Sequence, residues 1–358
     1  MSADAPHPAR KQLTPKKIAG YVASILIVVG IFVWAVPQFA DYHDVWAALS
    51  TLTPIEFWSL FAAMVFNLFT YWWANQAALP GLRLGHAAVV TQTTTSIANT
   101  FPAGGAVAVG LTYSILNSWG FSGNAIALYV GVTGIWNIFA KLALPVLALV
   151  LLAVTGSLTP AYAVAAAVGI GVLVVAVALF VLIFRSERLA RRVGDALGRA
   201  VSALTRVIRK PPVQGWGDRA ASFRADTIGL VGRRWLPLTL FTLLSHVALF
   251  VVLLLALRHM GVAEDEVSTV QAFSVYTFAR LLSAVPITPG GVGVIDLGYI
   301  GGLAAFDQGE KAQMVAAVLL FRALTYAIQI PLGAVTYLIW RGKADWRRST
   351  PVAASAAE

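Results

Sequence analysis

The sequence contains no cysteine and few charged residues. The absence of Cys among 358 residues excludes disulfides, thiolate zinc sites and thiol nucleophiles. Only 12% of the residues are charged and 58% are hydrophobic, whereas soluble domains carry about 25% charged residues. The polar surface is therefore too small for a water-soluble globule. Several apolar stretches exceed the ~20 residues that cross a bilayer core as a helix, so the sequence predicts a polytopic membrane protein.

Six apolar stretches predict full membrane spans, and two more are interrupted. The full spans are expected at about 18–37, 55–78, 125–154, 161–184, 236–257 and 312–340. Segments 87–118 and 267–305 contain Gly, Pro, Thr and Asn, which favour two hairpins of short, broken or re-entrant helices. Two ordinary helices in each segment are the alternative. The predicted fold class is an all-α polytopic membrane protein with about six full spans, two broken hairpins and eight or more helical segments.

The basic residues predict the orientation of the chain. Of the 26 Lys and Arg residues, twelve lie within 185–234, and nine more precede the first span, follow the last span or lie at position 83. Basic loops stay in the cytoplasm. Both termini and the 185–234 region are therefore expected on the cytoplasmic side of the plasma (inner) membrane. The net charge of +10 is then a topology signal, and no nucleic-acid partner is expected.

The transmembrane part contains an internal repeat. The tetrapeptide AGGA at 103–106 lies 186 positions before PGGV at 289–292, and Tyr113 meets Tyr299 and Pro145 meets Pro331 at the same offset. The alternative is chance pairing of Gly and Pro. The predicted orientation gives the two units opposite directions, and inverted repeats with paired Gly/Pro-interrupted segments are typical of transporters, with a site near the bilayer midplane.

The predicted organisation is a transmembrane domain between two tails. The transmembrane domain is expected at 18–341, between cytoplasmic tails at 1–17 and 342–358. Inside it, repeat one is expected at about 55–154, the basic amphipathic loop at 185–234, and repeat two at about 236–341.

Charged residues inside apolar segments are the candidate substrate-binding residues. These residues are Lys141, Arg280, Asp296 and Arg322. An ionised side chain at mid-membrane costs at least ~2.5–3.5 kcal/mol, so it normally faces a partner or water. Arg suits bidentate phosphate contacts, which favours a phosphate-binding pocket. The alternative is a structural ion pair, and Asp296 could pair with either arginine.

Helix-breaking residues predict the walls of a cavity. The predicted cavity-shaping residues are Gly104, Gly105, Pro289, Gly290, Gly291 and Gly293. Breaks free backbone amides and expose half-helix N-termini, which attract anions. The polar run at 93–100 could line a groove or could satisfy the backbone of a broken helix.

No catalytic constellation is apparent in the sequence. The five histidines are scattered, and neither an H-E-x-x-H motif nor a phosphate-binding Gly-Lys-Ser/Thr loop occurs. We therefore expect no enzyme activity, no catalytic residue, no metal and no cofactor.

Two further stretches are distinctive, and they read VPITPGGVGVIDLGY at 285–299 and LLFRALTYAIQIPLGAVTYLI at 319–339. Both resemble the lysylphosphatidylglycerol synthase transmembrane-region family, the flippase-like membrane part of the multiple peptide resistance factors and their stand-alone relatives. The resemblance covers roughly 18–341. Within the family pattern, the break is matched by Pro289, Gly290, Gly291 and Gly293, the usual Glu by Asp296, and the usual Arg by Arg322. The first repeat departs from the pattern, because uncharged residues stand where the family carries charge, at Ala106, Val109 and Trp136.

The resemblance implies a flippase-like lipid translocator with membrane lipids as its partners. The implied substrates are aminoacylated or anionic phospholipids and polyprenyl-phosphate glycolipids, which share a phosphate. The alternatives are a non-catalytic scaffold that binds a separate lipid-modifying transferase and a secondary transporter of a small anion. The family's soluble aminoacyl-transferase domain is not found, so synthase activity is not expected. The sequence leaves the oligomeric state open.

Overall fold

The protein is helical throughout its described part. The computed structural model describes Leu26 and residues 41–100, 104–156, 160–206, 214–283, 288–306 and 311–343. These residues form helices and the turns that join them, and no strand occurs among them. The all-α prediction is confirmed for this part of the chain.

The first group of helices runs from residue 42 to residue 154. In chain order the helices are α1 (Tyr42–Ser50), α2 (Pro54–Ala78), α3 (Leu84–Thr100), α4 (Gly104–Ser118) and α5 (Gly123–Val154). Helix α2 begins with a capping box between Thr53 and Glu56 and has Pro54 in its first turn, a combination that satisfies otherwise free amides. Helices α1 and α2 meet at an angle of 96°.

The basic amphipathic region at 185–234 contains two helical segments. After α6 (Pro160–Arg185), it forms α7 (Glu187–Arg206) and the first part of α8 (Trp216–His259). Helices α7 and α8 pack together, and Arg191 pairs with Glu187 of its own helix and with Asp218 of α8. Helix α8 is kinked at Arg234, so its basic first part and its apolar second part are separate segments.

The last group contains a second interrupted hairpin. Helix α9 (Thr269–Leu282) leads to a 3₁₀ turn (Pro289–Gly291), then to α10 (Val294–Ala304) and α11 (Lys311–Gly342). Helix α11 contains a π-helical turn (Ala323–Ala327) directly after Arg322. π-Bulges of this kind are common at functional sites.

Within the described residues, four helices are long and apolar enough to cross a membrane, or five if the bent pair α1 and α2 is one span. The four are α5, the 167–185 part of α6, α8 and α11. The predicted number of six spans is therefore not confirmed. The predicted first span, at 18–37, lies outside the described residues except for Leu26.

The first interrupted hairpin packs against the last helix, α11. Helix α3 packs along the second half of α11, where Ser96 Oγ donates to the Ile330 carbonyl at 2.9 Å and the Thr93 and Thr336 hydroxyls are 3.0 Å apart. A Cβ on Gly333 would overlap Ser96 and the Gln92 carbonyl. Gly333 thus lets the two backbones approach closely enough to join the first hairpin to the last helix.

Candidate functional site

A cavity of about 410 Å³ lies between the two interrupted hairpins. One wall comes from α2, α3 and the start of α4, and the other from α9, the 3₁₀ turn, α10 and α11. Cavities of a few hundred cubic ångströms are typical of small-ligand sites. Both hairpins that the sequence marked as irregular therefore contribute to one site.

Arg322 and Asp296 form a buried ion pair at this cavity. Arg322 Nε and Asp296 Oδ1 are 2.6 Å apart, and the Asp296 side chain is 2% exposed. The two atoms lack the alignment of a hydrogen bond, so the contact is electrostatic. Arg322 lines the cavity, whereas Asp296 lies behind it. The sequence left open which arginine pairs with Asp296, and the structure pairs it with Arg322.

Asp296 also caps the helix that follows the break. Its Oδ2 accepts a hydrogen bond from the Gly293 amide at 2.7 Å, at the N-terminus of α10, where negative charge is stabilised. Arg322 in turn donates through Nη2 to the Gly290 carbonyl at 3.3 Å and lies 4.5 Å from the centre of the Tyr326 ring. One carboxylate thus fixes both the break and the arginine.

The break closely approaches α11. Gly290 has a φ of +57°, and a Cβ on it would overlap the Tyr326 ring. Only glycine combines this conformation with this contact at little cost. The Tyr326 hydroxyl donates to the Asn99 carbonyl at 2.7 Å, so one tyrosine connects the second break with the end of α3.

Arg280 and Lys141 are two further cations of the site. Arg280 lines the cavity close to Tyr71, and its buried Nε has no hydrogen-bond partner among the described residues. Lys141 does not line the cavity. It donates to Ser283 Oγ at 3.0 Å, and Ser283 is a lining residue whose hydroxyl donates to the Arg280 carbonyl at 2.6 Å.

The polar run of the first hairpin divides into three groups. Thr95 and Asn99 line the cavity, as do Thr91 and Gln92 just before the run. Thr94 and Thr100 donate to carbonyls of their own helix, and Thr93 and Ser96 bond to α11. Both alternatives drawn from the sequence hold, for different residues of the run.

Four of the six predicted cavity-shaping residues line the cavity, and the other two lie beside it at the break. The four lining residues are Gly104, Gly105, Gly290 and Gly291. The backbone of Pro289 belongs to the 3₁₀ turn, and Gly293 is the N-cap of α10. The break therefore shapes the cavity through its glycines.

Sequence reasoning missed the aromatic and amide residues of the site. Tyr326 follows Arg322 by four positions on one helix, a spacing that brings side chains together and could have identified it. Tyr71 and Gln92 gave no local signal, because their place at the cavity depends on how α2 and α3 pack against the second half.

Sequence reasoning also missed a polar cluster at the ends of α2 and α8. Ser59 Oγ lies 2.8 Å from His259 Nε2, and His259 Nδ1 lies 3.8 Å from Glu56 Oε1. The histidines are thus not all isolated. The longer distance exceeds a hydrogen bond, and Ser59 also donates to the Glu56 carbonyl at 2.8 Å. The cluster therefore links two helix ends.

The comparison with known proteins agrees with this architecture. The family described as the lysylphosphatidylglycerol synthase TM region matches residues 21–333, which is most of the chain. No curated protein matches the chain. The matched range includes both hairpins, the break and Arg322, and its apolar helices are those of an integral membrane protein. The chain belongs to the lysylphosphatidylglycerol synthase transmembrane-region family.

Proposed function

We propose that this protein is a lipid translocator that moves a phosphate-bearing polar lipid across the bilayer. The single observation that carries the proposal is a cavity between two broken hairpins that exposes Arg280 and Arg322. Both belong to a chain whose family and apolar helices are those of a membrane protein. The proposed substrates are anionic or aminoacylated phospholipids and polyprenyl-phosphate glycolipids.

The depth of Arg322 supports a headgroup site inside the bilayer. Arg322 is eleven positions after Lys311, at which α11 begins. At 1.5 Å per residue this is roughly 16 Å along the helix, about half of the ~30 Å hydrocarbon core. A guanidinium at that depth needs a partner or water around it. Asp296 pairs with its Nε, and its other N–H groups can donate to a lipid phosphate.

Inverted repeats are part of the proposal. When 186 is added to the residue numbers of the first half, its helices coincide with those of the second half. Helix α3 then coincides with α9, the start of α4 with the 3₁₀ turn, and the start of α5 lies within a few residues of the start of α11. The matching order of helices supports a duplication. Two such units in opposite directions would give the site access from either side of the membrane, as in transporters built on broken helices.

The proposed topology puts both termini on the cytoplasmic side of the plasma membrane. Gln214 precedes α8 and Asp265 follows it, and both are exposed. The cysteine-free chain allows Gln214→Cys and Asp265→Cys to be labelled singly in intact cells. We expect an impermeant thiol reagent to label Asp265→Cys and not Gln214→Cys. Equal labelling of both would overturn the orientation.

The test of function is lipid movement in liposomes that contain the purified protein. Headgroup-labelled phospholipids and polyprenyl-phosphate lipids are the probes, and Arg322→Gln is the variant. Arg341→Gln is the matched control, because Arg341 is exposed at the far end of the same helix. We expect Arg322→Gln to abolish movement and Arg341→Gln to preserve it.

Failure of every probe with folded protein would overturn the translocator. A separate lipid-modifying transferase that co-purifies with the chain would then favour the scaffold. Uptake of a water-soluble anion without lipid movement would favour a small-anion transporter.

A further inference from the structure

The cavity carries more positive charge than its one carboxylate can balance. Three cations lie at this cavity. Arg280 and Arg322 line it, and Lys141 donates a hydrogen bond to the hydroxyl of the lining residue Ser283. Among the described residues, Asp296 is the carboxylate that reaches this group, through Arg322. Its second oxygen is taken by the Gly293 amide.

The ion pair therefore accounts for Arg322 and leaves the other two cations uncompensated. Arg280 lies close to the Tyr71 hydroxyl, and Lys141 donates to the Ser283 hydroxyl. Both neighbouring groups are neutral. Arg280 Nε is buried with no hydrogen-bond partner in the described part of the chain. A buried cation without a counter-charge is costly, so the site is arranged to receive negative charge from a ligand.

Resting on the proposed function, we propose that the cavity selects a phosphate group with two negative charges, a phosphomonoester or a diphosphate diester, over a singly charged phosphodiester. A phosphomonoester carries about −1.5 to −2 charges at pH 7, which balances Arg280 and Lys141 together. A phosphodiester leaves one cation unbalanced. A lysyl headgroup adds two ammonium groups to one phosphate and is therefore the least favoured.

The opposite wall fits the same class of ligand. It presents neutral groups, with Thr95, Asn99 and Gln92 facing the cavity. Hydroxyl and amide groups donate to phosphate oxygens or to a sugar without adding a carboxylate that would repel the ligand. The buried Gln92 Oε1 has no hydrogen-bond partner among the described residues and is an acceptor for a sugar hydroxyl.

The test compares the rates at which lipids with differently charged headgroups cross the bilayer. Liposomes with the purified protein at pH 7.5 are supplied in turn with a labelled polyprenyl diphosphate sugar, a polyprenyl monophosphate, phosphatidylglycerol and lysylphosphatidylglycerol. We expect the two doubly charged lipids to move at least about tenfold faster than phosphatidylglycerol, a difference of about 1.4 kcal/mol. Lysylphosphatidylglycerol should be slowest.

A designed carboxylate sharpens the test. Ser283→Asp sets a negative charge beside Lys141 and Arg280, and Ser283→Asn is the control of equal size without charge. We expect Ser283→Asp to bring the ratio of rates, doubly charged lipid over phosphatidylglycerol, to near one, whatever either substitution does to the absolute rates. Ser283→Asn should keep the preference. Thermal unfolding of both variants confirms that they fold.

The outcomes separate this inference from the proposed function. Equal movement of all four lipids by the unaltered protein would overturn the charge selection and leave the translocator standing. No movement of any lipid, with no uptake of inorganic pyrophosphate either, would overturn both. Uptake of labelled inorganic pyrophosphate into the liposomes, with no lipid moving, would retain the charge selection. It would show that the substrate is a soluble anion and not a lipid.

Discussion

The two interrupted hairpins have similar backbones and different chemistry. The first, α3 with α4, faces the cavity with hydroxyls, amides and glycines. The second, α9 with α10, carries Arg280 and Asp296 and binds Arg322 from α11. One hairpin thus supplies neutral hydrogen-bonding groups, and the other supplies the charge.

The difference shows that a repeated framework does not require a repeated site. Broken helices in both halves open the cavity. The ion pair that holds the second break has no counterpart among the described residues of the first hairpin, where Ala106 and Val109 follow the glycines. The account therefore expects large effects from charge changes in the second half and small effects from polar changes in the first.

The largest effect is expected for Asp296→Asn. The substitution leaves Arg322 as a buried, unpaired charge and weakens the cap on Gly293, so the free energy of unfolding should fall by about 3–5 kcal/mol. Unfolding of detergent-solubilised protein measures it. The double variant Asp296→Asn with Arg322→Gln is the control, since removing both charges should recover much of the loss. A single variant as stable as the unaltered protein would mean that the pair does not hold the break.

The second-largest loss of stability is expected for a substitution where the first hairpin packs against α11. Gly333→Leu forces a side chain into Ser96 and the Gln92 carbonyl, and overpacking of this kind costs about 1–3 kcal/mol. The matched control is Gly110→Ala in α4, where an added Cβ meets nothing within 4 Å. If both variants melted at the unaltered temperature, α3 and α11 would not be packed as described.

A smaller effect is expected for the tyrosine that bridges the two halves. Tyr326→Phe removes the hydrogen bond to the Asn99 carbonyl and should cost about 1 kcal/mol. Tyr337→Phe is its control on the same helix, because the Tyr337 ring packs on Trp340 and Phe retains that contact. Thermal unfolding compares the two, and equal shifts would argue against the bridge.

The smallest effect is expected in the neutral wall. Thr95→Val removes one hydroxyl from the cavity, and lipid movement should slow roughly threefold, as for the loss of one ordinary hydrogen bond. Thr94→Val should leave the rate unchanged, because Thr94 donates to the Val90 carbonyl of its own helix. Complete loss of movement with Thr95→Val would make the first hairpin as important as the second.

The elements of the site that depend on local sequence were predictable. A Pro-Gly-Gly-x-Gly run breaks a helix wherever it stands, and an arginine in an apolar stretch needs a partner, so the break and Arg322 could be identified before the fold was known. The basic 185–234 region was predicted as an amphipathic loop, and its helical spacing agrees with α7, which lies within it.

The remaining features depend on contacts between distant residues. Asp296 is 26 positions from Arg322 and closer in sequence to Arg280, so only the packing of α10 on α11 decides its partner. Lys141 was predicted as a substrate-binding residue, and its contact with Ser283, 142 positions away, could not be read from the sequence. The division of the 93–100 run between cavity, own helix and α11 likewise follows from which face of α3 meets α11.

The most direct test of the account asks whether a phosphate-bearing lipid occupies the cavity between the hairpins. Thr95→Cys in the cysteine-free chain puts a thiol on the cavity wall, and Ser50→Cys puts one at an exposed helix end. Labelling by a small charged thiol reagent is timed with and without a polyprenyl-phosphate lipid. The account predicts that the lipid slows labelling at position 95 only, and that Arg280→Gln with Arg322→Gln removes the protection. Equal labelling at position 95 with and without the lipid would contradict it.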